Sequence, residues 1–119
     1  MKLHLLVVMV LMCSPAQSKD LWCMPNELCN NGVCKPTTDT EMSVRLHDPD
    51  GATPELRSHA ESISMTKIHD TETQQWTGKN ASGGTEILAV LLADMTFAYV
   101  ETSADLGQIN KASGLCEVQ

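Results

Sequence analysis

The stretch that decides the fold class is the longest apolar run of the chain, TEILAVLLADMTFAYVET at residues 85–102. Its first half, residues 86–93, is rich in leucine and alanine, which favour a helix, and Thr85 stands where a helix cap would lie. In residues 95–100 large apolar side chains alternate with smaller or polar ones, which is typical of a strand. We interpret the run as two strands that break near residues 93–94. The first half is short for a helix, and the second is rich in β-branched and aromatic residues.

Shorter segments with a period of two predict further strands on either side of this run. EMSVRLH at 41–47 alternates strictly, SISMTKIH at 62–69 alternates with one break that predicts a β-bulge, and QQWTG at 74–78 predicts a short strand. The chain is therefore predicted to be mostly β, a single small disulfide-tied β-sandwich or barrel-like domain. The alternative is an α+β fold with a helix near 85–94.

Turn-forming residues separate these segments. DPDG at 48–51 has favoured residues at each position of a type I turn, and DTET at 70–73 and KNASGG at 79–84 predict a turn and a loop. Pro54 and Glu55 resemble a helix start, which predicts a single helical turn. The tail predicts one more short strand around Gln108–Ile109, followed by a turn at Gly114 that brings Cys116 into place.

The N-terminus has the pattern of a secretory signal peptide. A positive start is followed by an apolar stretch up to Met12, and Ala16 and Ser18 occupy the small-residue positions of a cleavage site. We predict cleavage before Lys19, which leaves residues 19–119 as one secreted, extracellular domain. The apolar stretch is too short to span a membrane.

Cleavage would remove Cys13 and leave an even number of cysteines in an oxidising compartment, which predicts a disulfide framework: Cys23, Cys29, Cys34 and Cys116. The turn-forming residues 30–32 can fold Cys29 back onto Cys34. Spacing alone leaves all three pairings open. Every one of them joins a cysteine near the start of the domain to Cys116, so the cysteines tie the two chain ends together.

No motif of known catalytic or metal chemistry stands out. The three histidines of the predicted mature chain, His47, His59 and His69, lie ten or more residues apart, whereas a zinc site needs closely spaced ligand pairs. The DPDG stretch is too short for a calcium loop, and no nucleophile elbow or phosphate loop is present. We predict no metal site and no cofactor, and we interpret the histidines and Arg45 as surface groups.

Charge and composition restrict the partners. The sequence carries 8 basic and 15 acidic residues, and loss of Lys2 leaves 7 against 15, a net charge of −8. This argues against binding to nucleic acid or to an anionic membrane, which begins from a basic patch. We expect a protein or glycan partner outside the cell. Trp22 and Trp76 are the binding candidates, and Asn80 begins a glycosylation sequon, Asn-Ala-Ser, in a loop predicted to be exposed.

The cysteine layout, three near the start and one near the end of an acidic secreted chain, is similar to that of the guanyl-specific secreted ribonucleases. This resemblance implies the pairs Cys23–Cys34 and Cys29–Cys116. It also implies a catalytic set matched in order by His47, Glu55, Arg57 and His69. In its signal, length and cysteine content the chain resembles the small secreted cysteine-rich proteins of filamentous fungi, many of them effector-like.

These observations favour a protein that acts by binding, without catalysis, as an effector at a host or environmental surface. The alternative is a small secreted hydrolase of ribonuclease type. The two hypotheses differ in one structural expectation: a ribonuclease requires two of the three histidines to converge with a carboxylate in one cleft.

Overall fold

The computed structural model describes residues 19–38, 42–58, 61–104 and 109–119, and these are almost entirely β-structure. The predicted signal peptide and His59 lie outside the described residues. The strands are β1 (Leu21–Asn30), β2 (Val33–Pro36), β3 (Val44–His47), β4 (Glu55–Arg57), β5 (Ser62–Ser64), β6 (Thr66–Asp70), β7 (Thr73–Lys79), β8 (Thr85–Leu91), β9 (Thr96–Thr102) and β10 (Ile109–Val118). Within this part of the chain, no helix has the length and apolar character needed to cross a bilayer.

All the strand pairs are antiparallel and form one ten-stranded sheet in the order β5-β4-β3-β1-β10-β9-β8-β7-β6, with β2 paired to β1 outside this path. The two outermost strands are joined covalently. β5 pairs with β4, and after Met65 the chain continues as β6, which pairs with β7. The sheet therefore curls into a nearly closed barrel, as the mostly-β prediction expected.

The barrel interior is filled by alternate residues of the strands, because successive side chains of a strand point to opposite faces. The buried apolar residues form one cluster that includes Trp76, and no other described aromatic side chain is as completely buried. Its aliphatic members come from β1, β3, β4, β5 and β8, and they comprise Leu21, Val44, Leu46, Leu56, Ile63, Leu88 and Val90.

The 85–102 run forms β8 and β9, as the strand interpretation predicted, with the break at residues 92–95. The helix alternative is wrong. In β8 the side chains of Glu86, Leu88 and Val90 are buried while those between them are less so, and Leu88 pairs with Tyr99 across the two strands. A helix would place these alternate positions on different faces.

Two further local predictions are confirmed and one is wrong. In the 48–51 turn the Gly51 amide donates to the Asp48 carbonyl at 3.0 Å. The bulge expected within 62–69 lies between Lys67 and His69. The helical turn expected after Pro54 is instead β4, because Leu56 faces the interior between Leu46 and Ile63 of the neighbouring strands.

The C-terminal prediction is wrong in its main feature. The segment 109–118 is one continuous strand, β10, and Gly114 lies within it rather than in a turn; Gln108 lies outside the described residues. Gly114 pairs with Pro25, next to a bulge in β1, and a Cβ at this position would come 2.2 Å from the Met24 carbonyl oxygen. The glycine is therefore required for the close approach of β1 and β10.

The disulfides are Cys23–Cys116 and Cys29–Cys34. Each joins two residues that face one another on adjacent antiparallel strands. The pairing implied by the ribonuclease resemblance, with Cys29 bonded to Cys116, is wrong. Asn31 and Gly32, both with positive φ, fold β2 back on β1 and bring Cys34 opposite Cys29, as a two-residue hairpin turn of this type requires.

The antiparallel connections give the barrel two distinct ends. The hairpin end carries the 31–32 turn and the 80–84 loop. The terminal end carries the first and last described residues, where the Asp20 amide donates to the Gln119 carbonyl at 3.2 Å. The 48–51 turn lies at the terminal end, and the Trp76 indole donates to the Pro49 carbonyl at 3.1 Å.

Candidate functional site

The outer face of β1, β3 and β4 carries an aromatic and two cationic side chains in one row. Arg45 is paired with Trp22 on one side and with Arg57 on the other. Each points outward because its strand neighbours, such as Leu46 and Leu56, point into the core. These are the only two arginines in the sequence. We call Trp22, Arg45 and Arg57 the outer row.

The two arginines of the outer row have different surroundings. Arg57 Nε lies 2.7 Å from Glu55 Oε1, whereas the Arg45 guanidinium lies 5.8 Å from the centre of the Trp22 ring. Arg45 forms no salt bridge with any described residue. Two like charges directly opposite one another on a sheet destabilise it, and Glu55 offsets this repulsion only on the Arg57 side. Arg45 therefore presents a cation to solvent beside an aromatic surface.

The structure brings together three of the four residues matched to a ribonuclease site. His47 and Glu55 are cross-strand partners, and Arg57 binds Glu55 on the same outer face. His69 lies on β6 and pairs with Gln75, and β6 has no strand pairing with β3 or β4. His47 Nδ1 lies 2.9 Å from Asp20 Oδ1, and Asp20 is not one of the residues matched to a ribonuclease site.

The arrangement that a ribonuclease requires is therefore not formed by the described residues. His47 and His69 do not converge with a carboxylate in a cleft, and neither lines the clefts at the hairpin end. His59, the third candidate, lies outside the described residues. The other matched residues, His47, Glu55 and Arg57, form ion pairs on the solvent-facing side of the sheet.

The two tryptophans named as binding candidates occupy opposite sides of the sheet. Trp22 is half-buried under Arg45 on the outside, whereas Trp76 is completely buried in the core. A partner could reach the Trp76 ring only by opening the barrel, which corrects its proposed role. Trp22 occupies an outward-facing position of β1 and Trp76 an inward-facing position of β7, and this produces the difference.

A cleft lies at the hairpin end of the barrel. This cleft, of about 860 Å³, is lined on its apolar side by Leu28, Val33 and Met42 and on its inner side by Tyr99 and Glu101. Val33 is 62% exposed and Met42 36%. The cleft therefore leads from an exposed apolar rim to polar groups inside the barrel.

Glu101, which lines this cleft, belongs to a group of three carboxylates that lie close together. One oxygen from each of Glu61, Glu86 and Glu101 lies within 4.8 Å of the others. The Tyr99 hydroxyl donates to Glu86 Oε1 and lies 3.3 Å from Glu101 Oε2. We call Glu61, Glu86 and Glu101 the carboxylate cluster.

Burial changes the protonation of this cluster. It raises the pKa of Glu86 to about 7, the nearby Glu61 and Glu101 carboxylates add to this, and the hydrogen bond from Tyr99 opposes it. Burial also raises the pKa of Tyr99, with the Glu86 carboxylate adding to the effect. Tyr99 therefore stays protonated and remains a hydrogen-bond donor.

Sequence reasoning did not identify the carboxylate cluster. The sequence contained one indication of it. Glu86 alternates in step with Leu88 and Val90, so in a strand its side chain faces the interior with theirs. Glu61 and Glu101 come from other parts of the chain, and only the folded barrel brings them to Glu86.

The sequon residue Asn80 is part of the 80–84 loop at the hairpin end. Its Oδ1 accepts from the Gly84 amide at 2.8 Å and from the Ser82 hydroxyl at 2.7 Å, and its Nδ2 donates to the Thr102 carbonyl at 3.0 Å. Residues 81–83 are exposed, as the sequence predicted. Glycosylation of Asn80 stays a prediction.

Comparison of the chain with protein-family models, curated proteins and solved structures finds no match.

Proposed function

We propose that this small cysteine-rich protein is secreted and acts without catalysis, by binding a protein or glycan at a host or environmental surface. The observation that carries the proposal is the outer row, in which Arg45 lies between Trp22 and Arg57 on an exposed sheet face. The two disulfides support the compartment, because such bonds persist in oxidising environments.

The chemistry of the outer row favours an anionic group on the partner. An arginine presents a planar set of N–H donors that matches a carboxylate, and Arg45 has no described carboxylate partner of its own. The Trp22 ring beside it supplies apolar contact area. Tryptophan and arginine are enriched among the residues that dominate binding energy at interfaces.

The charge of the whole chain restricts where such a partner can bind. With a net charge of −7 for the full sequence, most of the surface repels an anionic partner. The outer row carries two arginines, so its charge is positive although the net charge of the chain is negative. We expect long-range repulsion to disfavour other faces and to orient an acidic partner toward Trp22 and Arg45.

The test measures binding of the purified protein to an array of acidic and neutral glycans and to extracellular proteins. We expect Trp22→Ala and Arg45→Gln each to weaken binding to an acidic partner by roughly 10-fold or more, the range of interface hot spots. Lys79→Gln, which removes one charge from another exposed strand position, is the control and should bind like wild type.

The outcomes distinguish a glycan partner from a protein partner, and they also test whether the outer row is the binding site. A glycan that binds wild type but not Arg45→Gln would identify the acidic glycan, and a protein with the same behaviour would identify the acidic protein. Unchanged binding in both variants would reject the outer row. An equal loss in Lys79→Gln would show that only overall charge matters.

A further inference from the structure

The carboxylate cluster at the hairpin end holds three acidic side chains without a described cation to balance them. None of Glu61, Glu86 and Glu101 forms a salt bridge with a described residue, although the nearest carboxylate oxygens lie within 4.8 Å of one another. Carboxylates this close repel one another unless a proton or a cation lies between them.

One oxygen of the cluster is buried and has no hydrogen-bond partner. Glu86 is 1% exposed, and its Oε2 has no donor, whereas its Oε1 accepts from Tyr99. Leaving a buried carboxylate oxygen without a partner is costly. A proton on this carboxylate or a bound cation would remove this cost.

The other oxygens of the cluster are oriented by donors, as those of metal ligands commonly are. The Ala81 amide donates to Glu61 Oε2 at 3.2 Å, and Asn110 Nδ2 donates to Glu101 Oε1 at 3.3 Å. A cleft of about 260 Å³, lined by Glu61 and Glu101, connects the cluster to solvent. The carboxylates are thus held in place and a hydrated ion can reach them.

We propose that Glu61, Glu86 and Glu101 bind one Ca²⁺ ion. Calcium takes carboxylate oxygens as ligands at about 2.3–2.6 Å in a flexible geometry, and one oxygen of each glutamate lies within 4.8 Å of the others. Magnesium demands near-ideal octahedral geometry at about 2.0–2.1 Å and gives up its waters reluctantly, so three carboxylates fixed by the protein suit it less. Three carboxylates supply the negative charge, and water reaching the site through the cleft completes the coordination.

This site is separate from the outer row and departs from the expectation of no metal, which considered cysteine and histidine ligands and the 48–51 turn. The carboxylate cluster lies at the hairpin end, and its ligands come from the residue before β5, from β8 and from β9. The calcium proposal therefore stands or falls independently of the binding function.

The experiment titrates CaCl₂ into purified chelator-treated protein and follows thermal unfolding. Calcium sites of extracellular modules have dissociation constants of about 10⁻⁴–10⁻³ M. About 10 mM CaCl₂ should therefore raise the unfolding temperature of wild type by roughly 5 °C or more, with saturation. The same concentration of MgCl₂ should produce a much smaller shift.

Variants separate a specific site from general charge screening. Glu61→Gln and Glu101→Gln should weaken calcium binding at least about 10-fold. Glu86→Gln should abolish the response while remaining folded, since its side-chain carbonyl still accepts from Tyr99. Glu72→Gln removes an equal charge from the exposed 71–72 turn at the terminal end and should respond like wild type.

Three results would overturn the proposal. The first is no calcium-dependent shift in wild type, and the second is an equal shift with calcium and magnesium. The third is an equal loss of response in Glu72→Gln. Isothermal titration of wild type with CaCl₂ alone provides an independent measure, with one ion bound per chain as the expected result.

Discussion

The position of Glu86 on its strand places a carboxylate inside the barrel. Strand periodicity turns Glu86 inward with Leu88 and Val90, although its carboxylate is costly to bury. Tyr99, on the adjacent strand β9 and also facing the interior, donates a hydrogen bond to one oxygen and so offsets part of this cost. The other oxygen remains without a protein partner, and this makes the residue sensitive to protons and cations.

Without divalent cations, the stability of the protein should fall as pH rises toward neutrality. The pKa of Glu86 is raised from 4.5 to about 7 in the folded state, with Glu61, Glu101 and Tyr99 facing it. The folded state therefore holds the proton more tightly than the unfolded state. This stabilisation is fully present below about pH 4.5 and is lost as pH rises through about 7, amounting to roughly 3 kcal/mol.

Urea unfolding in the presence of a chelator, at pH values from about 4 to 8, measures this dependence. Glu86→Gln carries no titrating group at this position, so its free energy of unfolding should change much less over the same range. A wild-type free energy that stays constant or rises between pH 5 and 7 would contradict the prediction.

At the level of elements, two glycines allow the sheet to form, for different reasons. Gly32 has a φ of 88° in the turn between β1 and β2, and no atom lies within 4 Å of a Cβ placed there. Gly114 lies within β10, where the opposing Met24 carbonyl leaves no room for a side chain. The first glycine provides a backbone conformation and the second provides space.

Replacing each glycine with alanine should therefore destabilise the protein to different extents. Gly32→Ala should cost about 1–2 kcal/mol, because alanine disfavours the left-handed conformation of the turn. Gly114→Ala should cost about 3 kcal/mol or more, because the backbone of β1 must move away from β10. Urea midpoints monitored by circular dichroism compare the two, and equal midpoints would show that the approach of β1 and β10 is not tight.

At the scale of the molecule, the barrel is held at the contact between its first and last strands. β1 and β10 pair over nearly their full length, and Cys23–Cys116 crosses this pairing with a sequence separation of 93. Cys29–Cys34 has a separation of 5 and lies within the hairpin. The first disulfide restricts the entire unfolded chain, and the second restricts only a turn that the Asn31-Gly32 pair already favours.

Removing the two disulfides should have unequal effects on stability. In the chain-entropy model, the double variant Cys23→Ala/Cys116→Ala loses about 4–5 kcal/mol, whereas Cys29→Ala/Cys34→Ala loses about 2 kcal/mol. The first loss is a large fraction of the stability of a domain of this size. Denaturant unfolding of both variants checks the order, and the reverse order would contradict it. Peptide mapping of the unreduced protein should return the Cys23–Cys116 pair.

The sequence by itself determined the features that depend on neighbouring residues. The strands of 85–102, the bulge near Lys67 and the turn at 48–51 follow from side-chain periodicity and turn chemistry, which act over a few residues. The same reasoning failed at 54–57, where Pro54 resembles a helix start. There the burial of Leu56 between two other strands outweighed the local preference.

Only the tertiary structure decided which distant residues meet. Cysteine spacing left the partner of Cys116 open, and the choice of Cys23 follows from the register of β1 against β10. Trp22 and Trp76 are the same residue type, yet the barrel places one on its outer face and buries the other in its core. Glu61, Glu86 and Glu101 belong to separate segments, and no local pattern joins them. The physical reason is that strand pairing between distant segments sets these contacts, and it depends on closing the barrel as a whole.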